Sequence, residues 1–408
     1  MSWYFWSCRV LCILSVIWFG PAAAHAQEQI TGEAVPVYND DLAVMESQEH
    51  RKDLPCEVDP VKPSLGFDLR FQSGYEVSVP LRELIGTGDR LSILMRVTPE
   101  PQSGVPAYFS QEFSVPTIEP GAKGEATLRG AFELGEGKYH VDWLMRDRAQ
   151  HVCSSHWDSI AVFAHGEADS DLLIPPGAVW ALDRMPFKEE SPVGRDSGDG
   201  LLHVKLLLNF APQEDQMATL RSDDTDAFLT LLRRIAREPR IGRISVVAFN
   251  LAERRVLYRH ENSTQIDFPA LGQALKSLQL GTINLKDLTD SNGSSEFLTR
   301  LLIDELGQPE KPDALIFAGP NAVPEGQISP ESLKEVGPVA YPVFYVNYNL
   351  NPAAHPWTDL IGKAVSFFKG HEYTITNPHD LWRACREVMS QLLSVKVGHC
   401  PAASFSGV

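Results

Sequence analysis

The hydrophobic period of this chain changes once, near residue 200, and that change restricts the fold more than any other feature. From about Asp53 to His165 apolar and polar residues alternate. In "FDLRFQ" the residues Phe67, Leu69 and Phe71 alternate with Asp68, Arg70 and Gln72. "YEVSV", "LSILMRV" and "YHVDWLM" repeat the pattern, separated by turn-rich pieces such as "IGTGD", "EPGAKG" and "LGEGK". Successive side chains of a strand face opposite ways, so period two marks half-buried strands. Many short ones without helical patterning predict an all-β sandwich.

After residue 200 strands alternate with helices. "HVKLLLNF" reads as a buried strand. "DDTDAFLTLLRRIARE" reads as a helix capped by Asp223 or Asp224, with Phe228, Leu231, Leu232 and Ile235 on one face. "RISVVAFN" is a second buried strand, and "RRVLYRHE" follows after so short a connection that it must return antiparallel, because a parallel partner needs a crossover of a dozen or more residues. Helices "FPALGQALKSLQL" and "SSEFLTRLLIDELG", strands "DALIFAG" and "PVFYVNYN", a final strand around "AVSFFKG" and the helix "HDLWRACREVMSQLL" complete the pattern. The expectation is an α/β doubly wound sheet with one antiparallel edge strand.

Length agrees with two cores: 408 residues, 43% hydrophobic and 22% charged, exceed what one ordinary core needs. The expected division is a signal peptide over 1–26, a polar flexible leader over 27–52, a β-sandwich domain over 53–165, a Pro-rich linker over 166–200, the α/β domain over 201–395 and a tail over 396–408. The signal assignment rests on Arg9, the apolar run "VLCILSVIWF" and Ala24-x-Ala26 before Gln27. That run has about ten residues where a membrane span needs roughly 20, so cleavage near Ala26 predicts a secreted or periplasmic protein with no span in the mature chain. A net charge of -17 and the absence of a basic patch argue against nucleic acid as a partner.

Export makes the cysteines a disulfide framework. With Cys8 and Cys12 removed, Cys56, Cys153, Cys385 and Cys400 remain. Cys56 and Cys153 bracket the β-rich segment and are expected to pair. Cys385 and Cys400 are expected to form the second bridge; if Cys400 sits in a frayed tail, Cys385 is a buried thiol instead. The wide spacings do not fit a zinc site.

The order of elements, "VVAFN" in the second strand and "LGQALKSLQLGTINLKDL" resemble the von Willebrand factor type A domain, over about residues 201–395. The preceding β-rich segment resembles uncharacterised bacterial secreted proteins of the type A-related group. The resemblance implies a divalent-metal site at the carboxyl end of the first strand, built from an Asp-x-Ser-x-Ser pattern, a loop Thr and an Asp after the fourth strand. Hard cations need such oxygens and their charge. The corresponding positions here are Asn209, Ala211 and Gln213, then Thr282, and then Ala318 beside Gly319. Only Thr282 matches, so the resemblance implies a degenerate metal site with no cofactor. The alternative is magnesium or manganese held by substitute ligands such as Asp215, Asp287 and Asp290.

Other chemistry lacks its motifs. His371 and Glu372 lack the second His of a zinc helix, and no nucleophile elbow, phosphate loop or dinucleotide fingerprint occurs. Ser294 and Ser295 read as helix caps, His203 and His260 as surface residues, and Trp143, Trp157, Trp357 and Trp382 as core or interdomain anchors. The expectation is a non-enzymatic binding or scaffolding protein that contacts another protein or envelope component. The alternatives are a divalent-metal-dependent adhesion domain and an exported hydrolase whose site converges only in three dimensions.

Overall fold

The structure is a computed structural model of the chain. It describes residues 28–30, 39–85, 90–100, 105–162, 174–182, 185–196, 200–213, 219–278, 292–322 and 328–394. The expected signal segment, Thr282, Cys400 and the acids Asp215, Asp287 and Asp290 lie outside the described residues. The chain divides into two compact units, 1–63, 72–170 and 174–182 in the first, and 64–71, 171–173 and 183–408 in the second.

The first unit is a sandwich of two antiparallel sheets. One sheet has the order β1 (Glu28–Ile30), β5 (Ala107–Ser114), β4 (Arg90–Glu100), β7 (Gly137–Asp147), β8 (Val152–Ala161). The other has the order β2 (Glu57–Leu65), β3 (Phe71–Pro80), β6 (Glu125–Leu134), β9 (Val179–Ala181). Aromatic rings join the two inner faces: Tyr75 and Trp143 are 5.3 Å apart, Phe109 and Phe132 6.0 Å. Tyr75 satisfies its buried hydroxyl by donating to Gln111 Oε1 at 3.1 Å. Of the expected strand "FDLRFQ", only Phe71 and Gln72 are strand, at the start of β3, and residues 67–69 form a turn. Leu69 takes a positive φ of 57°, and the Gly66 N–H donates to the Arg70 carbonyl at 2.9 Å. Residues 64–71 belong to the second unit, where Leu69 is buried and the Phe67 carbonyl accepts from Thr230 Oγ1 at 2.9 Å. Alternation there reflects burial on a helix rather than a pleat.

The segment 27–52, expected to be a flexible leader, is folded where it is described. β1 pairs with β5, and α1 (Asn39–Ser47) buries Met45 beside Leu94, Leu144 and Val152. Asp41 on α1 forms an ion pair with Arg146. Polar composition concealed this docking because a single short turn of apolar side chains suffices for it. In the segment 166–200, expected to be a linker, Val179–Ala181 forms β9 of the first unit, and Phe187 packs on the apolar cluster of the second. Cys56 and Cys153 are bonded as expected.

The second unit is a six-stranded mixed sheet with helices on both faces. Its order is β12 (Arg255–Ser263), β11 (Ile241–Asn250), β10 (Leu202–Asn209), β13 (Ala314–Pro320), β14 (Val343–Tyr348), β15 (His371–Ile375). All pairings are parallel except β11 with β12, the expected reversed edge. One face packs on α2 (Ser222–Arg237), α3 (Phe268–Lys276) and α7 (Pro378–Ser394), with Leu206, Leu208, Ala318 and Val346 buried there. The other packs on α4 (Gly293–Leu306), α5 (Pro330–Lys334) and α6 (Leu360–Phe367), with Leu207, Phe317 and Tyr345 buried.

Three local expectations are corrected. "AVSFFKG" belongs to α6, not to a strand: Asp359 caps it by accepting from the Gly362 N–H, and Leu360, Ile361, Ala364 and Val365 are buried at helical spacing. Short apolar runs do not separate the two periods. The start of α2 lies at Arg221, and Asp224 sits inside the first turn, returning its carboxylate to the Arg221 N–H. Cys385 is a free, fully buried thiol, pushed up to about 12 by burial, rather than one half of a bridge. Packing of α7 on the core turns this side chain inward. Among the described residues no helix is long and apolar enough to cross a membrane.

Candidate functional site

Open parallel sheets place ligands beyond the carboxyl ends of their strands, where main-chain groups run out of ladder partners. β10 ends there in Asn209, which is fully buried. Its Oδ1 accepts from the Ala211 N–H at 3.1 Å and from the Leu251 N–H at 3.2 Å, so one amide satisfies the loops after β10 and β11 together. Gly319 on β13 permits this placement, since a Cβ there would stand 2.7 Å from the Asn209 carbonyl oxygen. Ala211 is buried among apolar residues and offers only its N–H.

Gln213 is also buried, 2% exposed, and both ends of its amide are engaged. Its Nε2 donates to Asn349 Oδ1 at 2.9 Å, and its Oε1 accepts from Arg221 Nη2 at 3.1 Å. The Arg221 guanidinium also pairs with Asp224 at 3.1 Å. Burial raises the Asp224 carboxyl, and Arg221 opposes that shift. Asn349 Nδ2 donates onward to the His355 carbonyl at 2.8 Å. A chain of amides and one guanidinium therefore engages Gln213, the last position of the Asp-x-Ser-x-Ser pattern that the resemblance implied.

The expected site residues only partly converge. Gln213 lies in this network and Asn209 holds the neighbouring loops by itself, whereas Ala318 is directed into the opposite apolar cluster, against α2 and α7. β10 and β13 pair Leu208 with Ala318, so it is Gly319 that stands beside Asn209. Among the described residues no group of three or more His, Cys, Asp and Glu side chains is placed to hold a metal ion.

A second part of this edge was not legible in the sequence. Asp359 is fully buried and accepts from Tyr345 Oη at 2.7 Å, the Gly362 N–H at 2.7 Å and the Ala322 N–H at 3.4 Å. Burial pushes its carboxyl up to about 6, its hydrogen bonds oppose the shift, and the nearby Glu372 adds to it. Asn321 Nδ2 reaches the carbonyls of His355 and Trp357, Trp357 Nε1 donates to the Ala322 carbonyl at 3.3 Å, and Asn347 Nδ2 donates to Glu372 Oε1 at 2.7 Å. The bonds of Asn321, Trp357 and Asp359 fasten the segment 349–359 to β14 and to the residues after β13, and the Asn347–Glu372 bond ties β14 to β15. The recurrence of Asn at strand ends was the available signal.

Other candidates are placed plainly. Ser294 and Ser295 are buried in the first turn of α4 and do not cap it; the cap position is Asn292, whose carbonyl accepts from Ser295 Oγ at 2.7 Å. His203 is buried rather than on the surface; its ladder partner on β11 is Arg243, and Ser245, two residues further along that strand, offers a hydroxyl 2.9 Å from its Nε2. Burial lowers the pKa of this imidazole. Both residues of the pair are buried. His260 stacks edge-on with Tyr258 at 6.2 Å. Trp143 and Trp382 are core residues, while Trp157 and Trp357 are half-buried.

No protein-family model matches the chain, and no curated protein does. Among solved structures it is similar to the PilB minor pilin from Streptococcus sanguinis, with 10% identity over 76% of this chain and 89% of that one, at a TM-score of 0.31. It is also similar to a Bacteroides uniformis beta-glucuronidase, with 12% identity over 79% of this chain and 39% of that one, at a TM-score of 0.19. Likenesses this distant carry no conclusion about activity.

Proposed function

We propose that this is an exported, non-enzymatic binding or scaffolding protein whose second unit, of von Willebrand factor type A-like topology, docks a protein or envelope component at the carboxyl edge of its sheet without a metal ion. The observation that carries the reading is the Asn349–Gln213–Arg221–Asp224 chain. It fills the crevice with the protein's own hydrogen-bonding groups and leaves the Arg221 guanidinium partly exposed, at 28%. A strand-end site wired in this way lacks the uncompensated carboxylates that a hard cation requires. Its partly exposed guanidinium suits polar contacts with another macromolecule.

The test is capture of cross-linked partners from a native cell envelope by the full-length chain, with and without chelator, beside an Arg221→Ala variant. Capture of the same partner with and without chelator, weakened by Arg221→Ala, is the expected result. Loss of that partner on chelation, together with a thermal shift of the purified protein in millimolar magnesium or manganese, would replace this reading by metal-dependent adhesion.

A further inference from the structure

We propose that His140 is a proton-operated latch, which holds residues 48–50 against the outer face of the five-stranded sheet of the first unit and releases them in acid. The face is laid out in cross-strand rows. Arg96, Asp142 and His156 stand opposite one another on β4, β7 and β8, and Thr98, His140 and Asp158 form the next row. The chain leaving α1 lies along this face. His50 stacks on His156 with centroids 4.4 Å apart and planes at 22°, and Gln48 Nε2 lies 3.3 Å from His140 Nε2.

The partners of His140 define its neutral form. Asp158 Oδ1, an acceptor only, lies 2.7 Å from Nδ1, so Nδ1 carries the proton. Nε2 is then an acceptor and takes the hydrogen bond from Gln48. A third group waits beside it. Asp142 is 2% exposed, gives Oδ2 to Arg96 Nε at 2.9 Å, and keeps Oδ1 without a hydrogen bond, 3.4 Å from His140 Nε2. A second proton on His140 must go to Nε2. There it opposes the Gln48 donor and meets the Asp142 oxygen in a charge-assisted bond. Uptake of the proton therefore exchanges the Gln48 contact for one within β7. Protons on His50 and His156 add repulsion across their stack, while Asp158 and Asp142 are the carboxylates, and Arg96 the cation, that face this group from β8, β7 and β4. Lys138 and Glu100 stand in the following row, two residues further along β7 and β4.

Release is confined to a short piece. Beyond it the Ser154 N–H donates to the Arg51 carbonyl at 2.9 Å and the Leu54 N–H to the Val152 carbonyl at 3.1 Å, just ahead of the Cys56–Cys153 bond. Within it the only other tie is Ser154 Oγ to the Glu49 carbonyl at 2.6 Å among the described contacts.

The experiment uses the full chain and two readouts. Imidazole nitrogen shifts at about pH 7.5 report the tautomer, and amide exchange of residues 48–50, corrected for intrinsic rates, is compared between about pH 7.5 and about pH 5, the range over which imidazoles change charge. The expected results are a proton on Nδ1 of His140 and a roughly fivefold or greater loss of protection in acid at 48–50, with none at 52–54. In a His50→Gln background, where the stack supplies no repulsion, the acid step should remain, and adding His140→Gln should abolish it. A neutral tautomer protonated at Nε2, an unchanged wild-type ratio, an acid step lost in His50→Gln alone, or one that persists once His140→Gln is added would each overturn the proposal. If either variant fails to fold, the wild-type tautomer and ratio still decide it.

Discussion

Lys205 and Glu305 form a buried ion pair whose removal offers the sharpest energetic test of the second unit. Lys205 lies on β10 and Glu305 on α4; their side chains are 5% and 0% exposed, and Nζ stands 2.5 Å from Oε2. Lys205 Nζ also donates to the Glu305 carbonyl at 3.1 Å, and Arg259 of β12 reaches Glu305 Oε1 at 2.5 Å. Glu305→Gln keeps the shape but leaves Lys205 charged in a site from which water is excluded. Stranding one member of such a pair costs about 3 to 5 kcal/mol. For a unit of this size that corresponds to a fall in Tm of roughly 6 to 20 °C. Removing both charges acts differently. Lys205→Met with Glu305→Leu exchanges desolvated ions for apolar volume, and is expected to come within about 1 kcal/mol of wild type or to exceed it. Arg259, half exposed, can turn towards Glu261, 4.0 Å away. Differential scanning calorimetry of the full chain separates the outcomes, read on whichever transition moves. A cost below about 1 kcal/mol for Glu305→Gln, or a double variant as unstable as the single one, would refute the account.

Other expectations follow from the same packing. The Asp226 carboxyl is pushed up to about 6 by burial and by the neighbouring Asp68 and Asp223. Its stabilising contribution is therefore complete below the unfolded value near 4 and lost as pH rises through about 6. Asp226→Asn should gain about 1 to 2 kcal/mol at neutral pH after allowance for solvent screening, and nothing at about pH 4, as urea titrations at the two pH values would show. Millimolar magnesium should leave the wild-type melting temperature unchanged. Ala318→Asp should not create a metal site and should cost several kcal/mol, because the carboxylate would enter the apolar cluster on the other face, which calorimetry with and without magnesium would reveal. The Cys56–Cys153 bond spans a separation of 97 residues, so replacing both by Ala should destabilise the first unit by about 2 to 5 kcal/mol. Non-reducing peptide mapping should find this pair, with Cys385 alkylated only after denaturation.

The sequence by itself determined the two architectures, their order and the reversed edge strand. Each depends on a local quantity. Period two against period 3.6 reports which side of an element is buried, and the short connection between β11 and β12 forbids a parallel return. Only the tertiary structure decided which side chains meet. Gln213 and Asn349, 136 residues apart, share a hydrogen bond because β10 and β14 flank β13 in the sheet. Ala318 and Asn209 face opposite ways because the pairing places Ala318 beside Leu208, one residue from Asn209, and one residue exchanges the faces of a strand. His203 is buried with the hydroxyl of Ser245, two residues beyond its ladder partner Arg243, as its polar contact, and Asp359 is buried because Tyr345 and two N–H groups converge on it. "FDLRFQ" and "AVSFFKG" show the same limit within single segments. Six or seven residues carry too few repeats to separate turn, strand and helix, so the surface each segment packs against made the choice.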